Sequence, residues 1–316
     1  MGVSKKLKSY WLEAYTIQTN WGFDMLYRLL LTPLFVHYII NRGKGDRLDL
    51  EFEALTNYLI DENQELIKKY QHKKNVQTSI GESAPIWCCW WQGEEQMPEL
   101  VKQCYHLLKL HCGSHPVKLL TKENYQQYIE FPPYVMTLFH SGNITIPQFS
   151  DIMRMYLVST YGGIWIDSTY WITKPFTISS EPFVSVKSGN SHDPFIPRGR
   201  WSGNFVGGAK GAKYFSFMYE ALINYWNKHD QLINYFLIDY FTQIAYTSFP
   251  DVKEQIDLYT HLCPNLTTLN MNEPYDEIQL KHIIEKNNFL KLSWKWQLHK
   301  QSENGLPTIY EYFLSL

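Results

Sequence analysis

Residues 149–173 read FSDIMRMYLVSTYGGIWIDSTYWIT, and their pattern separates a helix, a turn and a strand. Just upstream, Thr145 followed three residues later by Gln148 has the form of a capping box, and Pro147 suits a first helical turn. Ile152, Met153, Tyr156, Leu157 and Val158 then fall at helical spacing, which predicts a helix over 148–160. Gly162 and Gly163 break it, because glycine reaches backbone conformations closed to other residues. Ile164, Trp165 and Ile166 follow as a short apolar run, the texture of a strand buried on both faces. Three charged residues stand out against this apolar background. Asp151 and Arg154 are three apart and share one helical face, and Asp167 leaves the strand at its carboxyl end, where open sheets bind ligands.

Working outward, the same texture continues from Ala84: a strand over 86–91, a helix over 98–111 and a strand over 117–120 predict an α/β sheet. Before about residue 75 the spacing is helical throughout, with Leu55, Tyr58, Leu59, Leu66 and Ile67 as its apolar stripe, and the polar stretch 71–83 reads as a linker. The chain thus divides into a helical region over 1–80 and an α/β domain over 81–316. Two post-strand segments fall where a nucleotide would sit: Gln92-Gly93-Glu94-Glu95, and Asp167-Ser168-Thr169 preceded by Gly163 at the turn. Trp90 and Trp91 alternate, so one packs inward and the other faces the cleft.

Composition narrows the function. With 29 basic against 31 acidic side chains in 316 residues, the chain lacks the basic excess of a dedicated nucleic-acid binder. It is long enough to bury a core without disulfides or structural metals. Aromatic residues make up 16%, which suits either an aromatic-rich core or surfaces that stack on bases and sugars. The five cysteines are odd in number and lack repeating spacing, so they read as reduced thiols of a cytoplasmic protein. Zinc-ligand spacing, a phosphate-cradling P-loop and a Ser-His-Asp arrangement are missing, so any metal should have oxygen ligands. No secretory leader is evident, and the apolar run 29–40 is too short to span a bilayer. Residues 1–47 carry seven basic and three acidic side chains, interleaved with Trp11, Trp21 and Phe23. They could dock on the anionic inner face of a membrane, or form a helical cap on the catalytic domain.

FSDIMRMYLVSTYGGIWIDST, with IWCCWWQG over 86–93 and KLSWK over 291–295, resembles bacterial capsular polysaccharide synthesis glycosyltransferases, relatives of glycosyltransferase family 32. More distantly it is similar to the sugar-transferring domain of the large clostridial glucosylating toxins. The likeness covers roughly residues 84–300 and rests on the order of its elements: an Asp-x-x-Arg helix, a Gly-Gly turn and a strand ending in an Asp-x-Asp type motif. It implies an α/β fold of glycosyltransferase A type, a Rossmann-like mixed sheet flanked by helices, here with an N-terminal helical extension. It also implies a nucleotide diphosphate sugar donor, most simply a UDP-sugar, and transfer with retention to a glycan or lipid-linked oligosaccharide acceptor. In the resemblance Asp151 and Arg154 hold the donor sugar, Trp90 stacks on uracil beside Gln92 and Gly93, and Asp167 is the first aspartate of the motif. The second aspartate is Thr169 here, which weakens the oxygen site expected for Mn2+ or Mg2+ on Asp167 and Thr169.

Further candidates complete the list. Lys291, Ser293 and Lys295 in a lysine-rich C-terminal segment could neutralise a departing diphosphate, or form a solvated basic surface. Asn204, in Ser202-Gly203-Asn204-Phe205 after His192-Asp193, is placed to bind donor or acceptor hydroxyls. Asp239 sits among aromatics, where a carboxylate is costly unless paired; it could serve the reaction or a structural hydrogen bond. A non-catalytic glycan-binding or scaffold protein of envelope polysaccharide assembly, and a phosphosugar transferase, are the competing functions.

Overall fold

The computed structural model describes residues 14–15, 17–22, 25–27, 44–76, 78–176, 182–187, 195–258 and 270–316, with the backbone alone for 44–48. The basic residues Lys5, Lys6, Lys8, Arg28 and Arg42, with Trp11, Phe23 and His192-Asp193, lie outside them. The apolar helical spacing at the start yields α1 (Lys44–Glu62) and α2 (Gln64–His72). β1 (Ile86–Cys89), α3 (Glu99–His111) and β2 (Val117–Leu120) then form a βαβ unit. The expected helix and strand of the 149–173 stretch are α5 (Ile146–Tyr161), preceded by α4 (Pro133–His140), and β3 (Gly163–Ile166). Gln148 returns to the Thr145 N–H at 3.1 Å, one arm of the expected capping box. The rest of the chain adds β4 (Tyr170–Ile172), β5 (Phe183–Ser185), β6 (Phe205–Gly208), α6 (Lys213–Lys228), α7 (Leu237–Ser248) and α8 (Pro250–Leu258). It closes with α9 (Glu277–Lys286), β7 (Phe289–Lys291) and α10 (Ile309–Ser315).

The central sheet has the order β2-β1-β3-β6-β5, with β1 parallel to β2 and β3, and β6 antiparallel to both its neighbours. This mixed sheet flanked by helices is the expected glycosyltransferase A-like, Rossmann-type architecture. Side chains alternate between two hydrophobic clusters as a two-residue period requires. Trp87, Trp165, Val206 and Phe183 join α1, α2 and α5–α7, while Ile86, Cys88, Ile164, Ile166 and Phe205 join α3, α10 and the two-stranded β4-β7 ribbon. Leu55, Leu59 and Tyr70 of the N-terminal helices share the first cluster with Phe217 and Phe241 of α6 and α7, and Met25 is buried in it as well.

Most of the aromatic content builds the core. The largest fully buried side chains are all aromatic, Trp165, Trp171 and Trp226 among them, and Phe149 stacks on Phe139 at 4.0 Å. Edge-to-face and stacked pairs of this kind add about 0.5–1.5 kcal/mol each beyond their buried area. The first strand is shorter than the expected 86–91. Trp90 N–H still bonds Leu120 O at 3.1 Å, but Gly93 N–H then closes back on Trp90 O at 2.9 Å, and the chain turns.

Three strand ends meet through this topology. β1 and β3 run parallel, so the 90–93 turn and Asp167 emerge at the same edge of the sheet. β6 runs the other way, and its pairing of Phe205 with Ile166 brings the preceding Asn204 alongside Asp167. Gly163 is held at φ +97, where a Cβ would lie 2.1 Å from Pro85 O. Its bare backbone is needed for this close approach of β1 and β3.

Candidate active site

Arg154 is the centre of the site. From α5 its Nη2 reaches Asp151 Oδ1 at 3.1 Å within the same helix face and Asp167 Oδ1 at 3.8 Å at the end of β3. The same Nη2 also donates to Ser150 Oγ at 3.1 Å, Nε donates to Ser150 O at 3.4 Å and Nη1 to the carbonyl of Gly203, and the guanidinium lies over the Trp165 ring at 5.1 Å. With its side chain 9% exposed, this planar fork is fixed in place by every neighbour. Trp165 adds an indole N–H to Asp167 Oδ1 at 2.9 Å.

The second half of the site comes from the C-terminal segment. β7 pairs with β4 so that Lys291 stands opposite Tyr170. Its ammonium donates to Asp167 Oδ2 at 3.0 Å and to Thr169 Oγ1 at 2.6 Å, over the Tyr170 ring at 5.2 Å. Asn204 completes the wall: its backbone O accepts from Asp167 N–H at 2.9 Å, and its Oδ1 accepts from Tyr170 OH at 2.5 Å and Ser202 Oγ at 2.7 Å. With the amide oxygen doubly engaged, the NH2 end is the donor left for a ligand.

The two carboxyls titrate in opposite directions. Burial pushes Asp151 up to about 6 against the pull of Arg154, with Asp167 adding repulsion. Burial also presses Asp167 upward, but Lys291, Arg154 and the Trp165 N–H outweigh it and hold the group below the usual carboxylate range. Neighbouring carboxylates driven apart by their surroundings are a recurring feature of acid and base sites. Cys89, beside them, is pushed up to about 12 by burial and by Asp167, so it stays a thiol and offers no nucleophile.

Among the other candidates, the structure separates the tryptophans. Trp91 packs inward on Tyr125, Phe139 and Phe149, whereas Trp90 meets Trp294 edge-to-face at 5.6 Å. Trp294, 44% exposed and three residues beyond Lys291, is thereby a further candidate that the sequence alone did not single out. Its signal was the LKLSWKW run itself, an aromatic between two lysines. Ser150 and Tyr170 lie within the 149–173 stretch and Ser202 in the loop singled out for Asn204, but the sequence alone names none of the three as a candidate. Gln92 and Lys295 are exposed, Gly93 takes φ 90 at the turn, and Ser168 and Ser293 are half-buried. Asp239 accepts a hydrogen bond from Trp201 Nε1 at 3.0 Å.

The donor set can be tested against the expected Mn2+ or Mg2+. Such a cation favours several hard oxygen ligands. Asp167 and Thr169 are the side-chain oxygens the motif supplies, and both already coordinate the Lys291 ammonium. No cluster of three or more His, Cys, Asp or Glu side chains suited to a metal occurs among the described residues. The residues present therefore do not fit a divalent cation at this position unless Lys291 leaves it.

A family model described as capsular polysaccharide synthesis protein matches residues 37–313. The chain belongs to that family. The match runs from before α1 into α10, so both the N-terminal helices and the C-terminal Lys291 segment are part of the capsular synthesis unit. Comparison with curated proteins and with solved structures returned no match. Among the described residues of this capsular synthesis protein, no helix is long and apolar enough to cross a membrane.

Proposed function

We propose that this protein is a retaining glycosyltransferase that moves a sugar from a nucleotide diphosphate sugar, a UDP-sugar first of all, to a capsular or cell-surface polysaccharide precursor carried on a lipid. The observation that carries the reading is Arg154 fixed between Asp151 and Asp167, at the sheet edge where α/β folds bind nucleotides. Such a rigid, largely buried cluster suits the hydroxyls of a donor sugar. Asp151 and Arg154 hold the sugar, Trp90 and Trp294 take the base, and Asn204 donates to a sugar or ribose hydroxyl. Transfer breaks the bond between the sugar C1 and the phosphate oxygen, which leaves negative charge on the diphosphate. The acceptor hydroxyl bonds to C1 on the same face, and its proton passes to the departing phosphate oxygen. Positive groups placed where that charge develops lower the barrier.

Work at the cytoplasmic face of a membrane fits a lipid-linked acceptor, with the basic residues of 1–47 making peripheral contact. The test is release of UDP from a panel of UDP-sugars, alongside UDP binding. Asp151→Asn should lose turnover while UDP affinity is kept. Binding of glycans without binding of any nucleotide diphosphate would instead establish the scaffold reading.

A further inference from the structure

The Asp-x-Thr motif and Lys291 form one unit, although 124 positions in sequence separate Lys291 from Asp167. The lysine is no chance visitor from a loose tail. Its backbone is locked opposite Tyr170 by the β4-β7 ladder, and the next residue continues the pairing, with Leu292 N–H on Thr169 O at 2.8 Å. The ammonium sits where the two motif oxygens converge, at 3.0 Å from the carboxylate and 2.6 Å from the hydroxyl. A second carboxylate in place of Thr169 would favour a divalent ion. A neutral hydroxyl matches the single positive charge of lysine.

We infer that Lys291 is a built-in cation that takes the place of the divalent metal, so that this protein binds the diphosphate of its donor without Mn2+ or Mg2+. The inference rests on the nucleotide-sugar reading above and gives it a specific chemistry. An ammonium has three N–H donors. Asp167 and Thr169 engage two, and with the side chain 30% exposed the third is available to a phosphate oxygen. Asp167 then acts as the anchor that aims the lysine rather than as a metal ligand. This accounts for threonine standing at the second motif position.

The experiment is titration calorimetry of the full chain with UDP and with GDP, in EDTA and in MnCl2. Wild type should bind UDP with the same affinity, within about twofold, in either condition. Lys291→Met should weaken binding in EDTA by about tenfold or more, the scale of a lost charge-assisted hydrogen bond, and Lys291→Arg should keep most of it. In Lys291→Met, Mn2+ should recover part of the loss, because the seat between Asp167 and Thr169 is open. Nucleotide binding by wild type that requires Mn2+ would overturn the built-in cation while leaving the transferase reading intact. No binding of either nucleotide in either condition would overturn both. Unchanged binding by Lys291→Met in EDTA would overturn the role of Lys291, and Lys291→Gln serves the same comparison if Lys291→Met fails to fold.

Discussion

Replacing Asp151 by asparagine should make the protein more stable at neutral pH while removing its activity. The Asp151 carboxyl titrates at about 6 rather than 3.8, and at about 1.4 kcal/mol per pKa unit the difference amounts to about 3 kcal/mol. The folded state favours the protonated acid. Its contribution to stability is therefore complete below the unfolded value of 3.8 and is lost as pH rises through 6. With the side chain 18% exposed, solvent screening reduces this little. About 2 kcal/mol of the effect falls between pH 4.5 and 7.5. Asparagine keeps the shape without the charge, and Arg154 retains Ser150, Gly203 and Asp167 as partners. The assay is thermal unfolding of both proteins across that pH range. The midpoint of Asp151→Asn relative to wild type should rise by about 3–6 °C from pH 4.5 to 7.5. A difference that stays flat with pH, or a variant that loses ground at pH 7.5, would refute the picture of Asp151 as a carboxylate held charged at a cost for the sake of a ligand.

Three other outcomes are expected. Trp294→Ala should weaken UDP binding by about 1–3 kcal/mol, the range for base–aromatic stacking, with little change in unfolding temperature because the side chain is exposed; unchanged affinity would remove Trp294 from the base site. Gly163→Ala should cost about 3 kcal/mol or more in urea unfolding, since its Cβ would meet Pro85 O at 2.1 Å on a backbone with φ +97; full stability would show that the strands can part there. Substituting glutamine for Lys5, Lys6 and Lys8 should reduce flotation with anionic but not neutral liposomes, by about 1 kcal/mol per lysine, and equal flotation would end the peripheral-membrane proposal.

The reach of the sequence can be judged residue by residue. Asp151 and Arg154 were legible because helical periodicity alone fixes which residues three apart share a face. Asp167 was legible because a glycine turn and three apolar residues mark the end of a buried strand. Those are local rules, and α5, β3 and the βαβ unit around residues 86–120 obey them. The pair Trp90 and Trp91 shows where local rules stop: alternation says that one faces inward, but the turn closed by Gly93 and the packing of Phe139 and Phe149 select Trp91. Of the three candidate C-terminal site residues, Lys291, Ser293 and Lys295, strand register places Lys291 on the motif, while Lys295 lies exposed on the loop beyond it.

The sequence by itself determined the α/β architecture, the helix and strand that carry the charged groups, and membership in a capsular polysaccharide synthesis family. Each follows from patterns within about twenty residues or from ordered motifs along the chain. The tertiary structure decided what the charges do to one another. Pairing of β6 with β3 sets Asn204 beside Asp167, and pairing of β7 with β4 sets an ammonium between Asp167 and Thr169. Whether that motif holds a metal or a lysine turns on the register of a ladder formed across more than a hundred residues. Backbone hydrogen bonding and burial on both sides of the ladder fix that register, and no spacing along the chain encodes it directly.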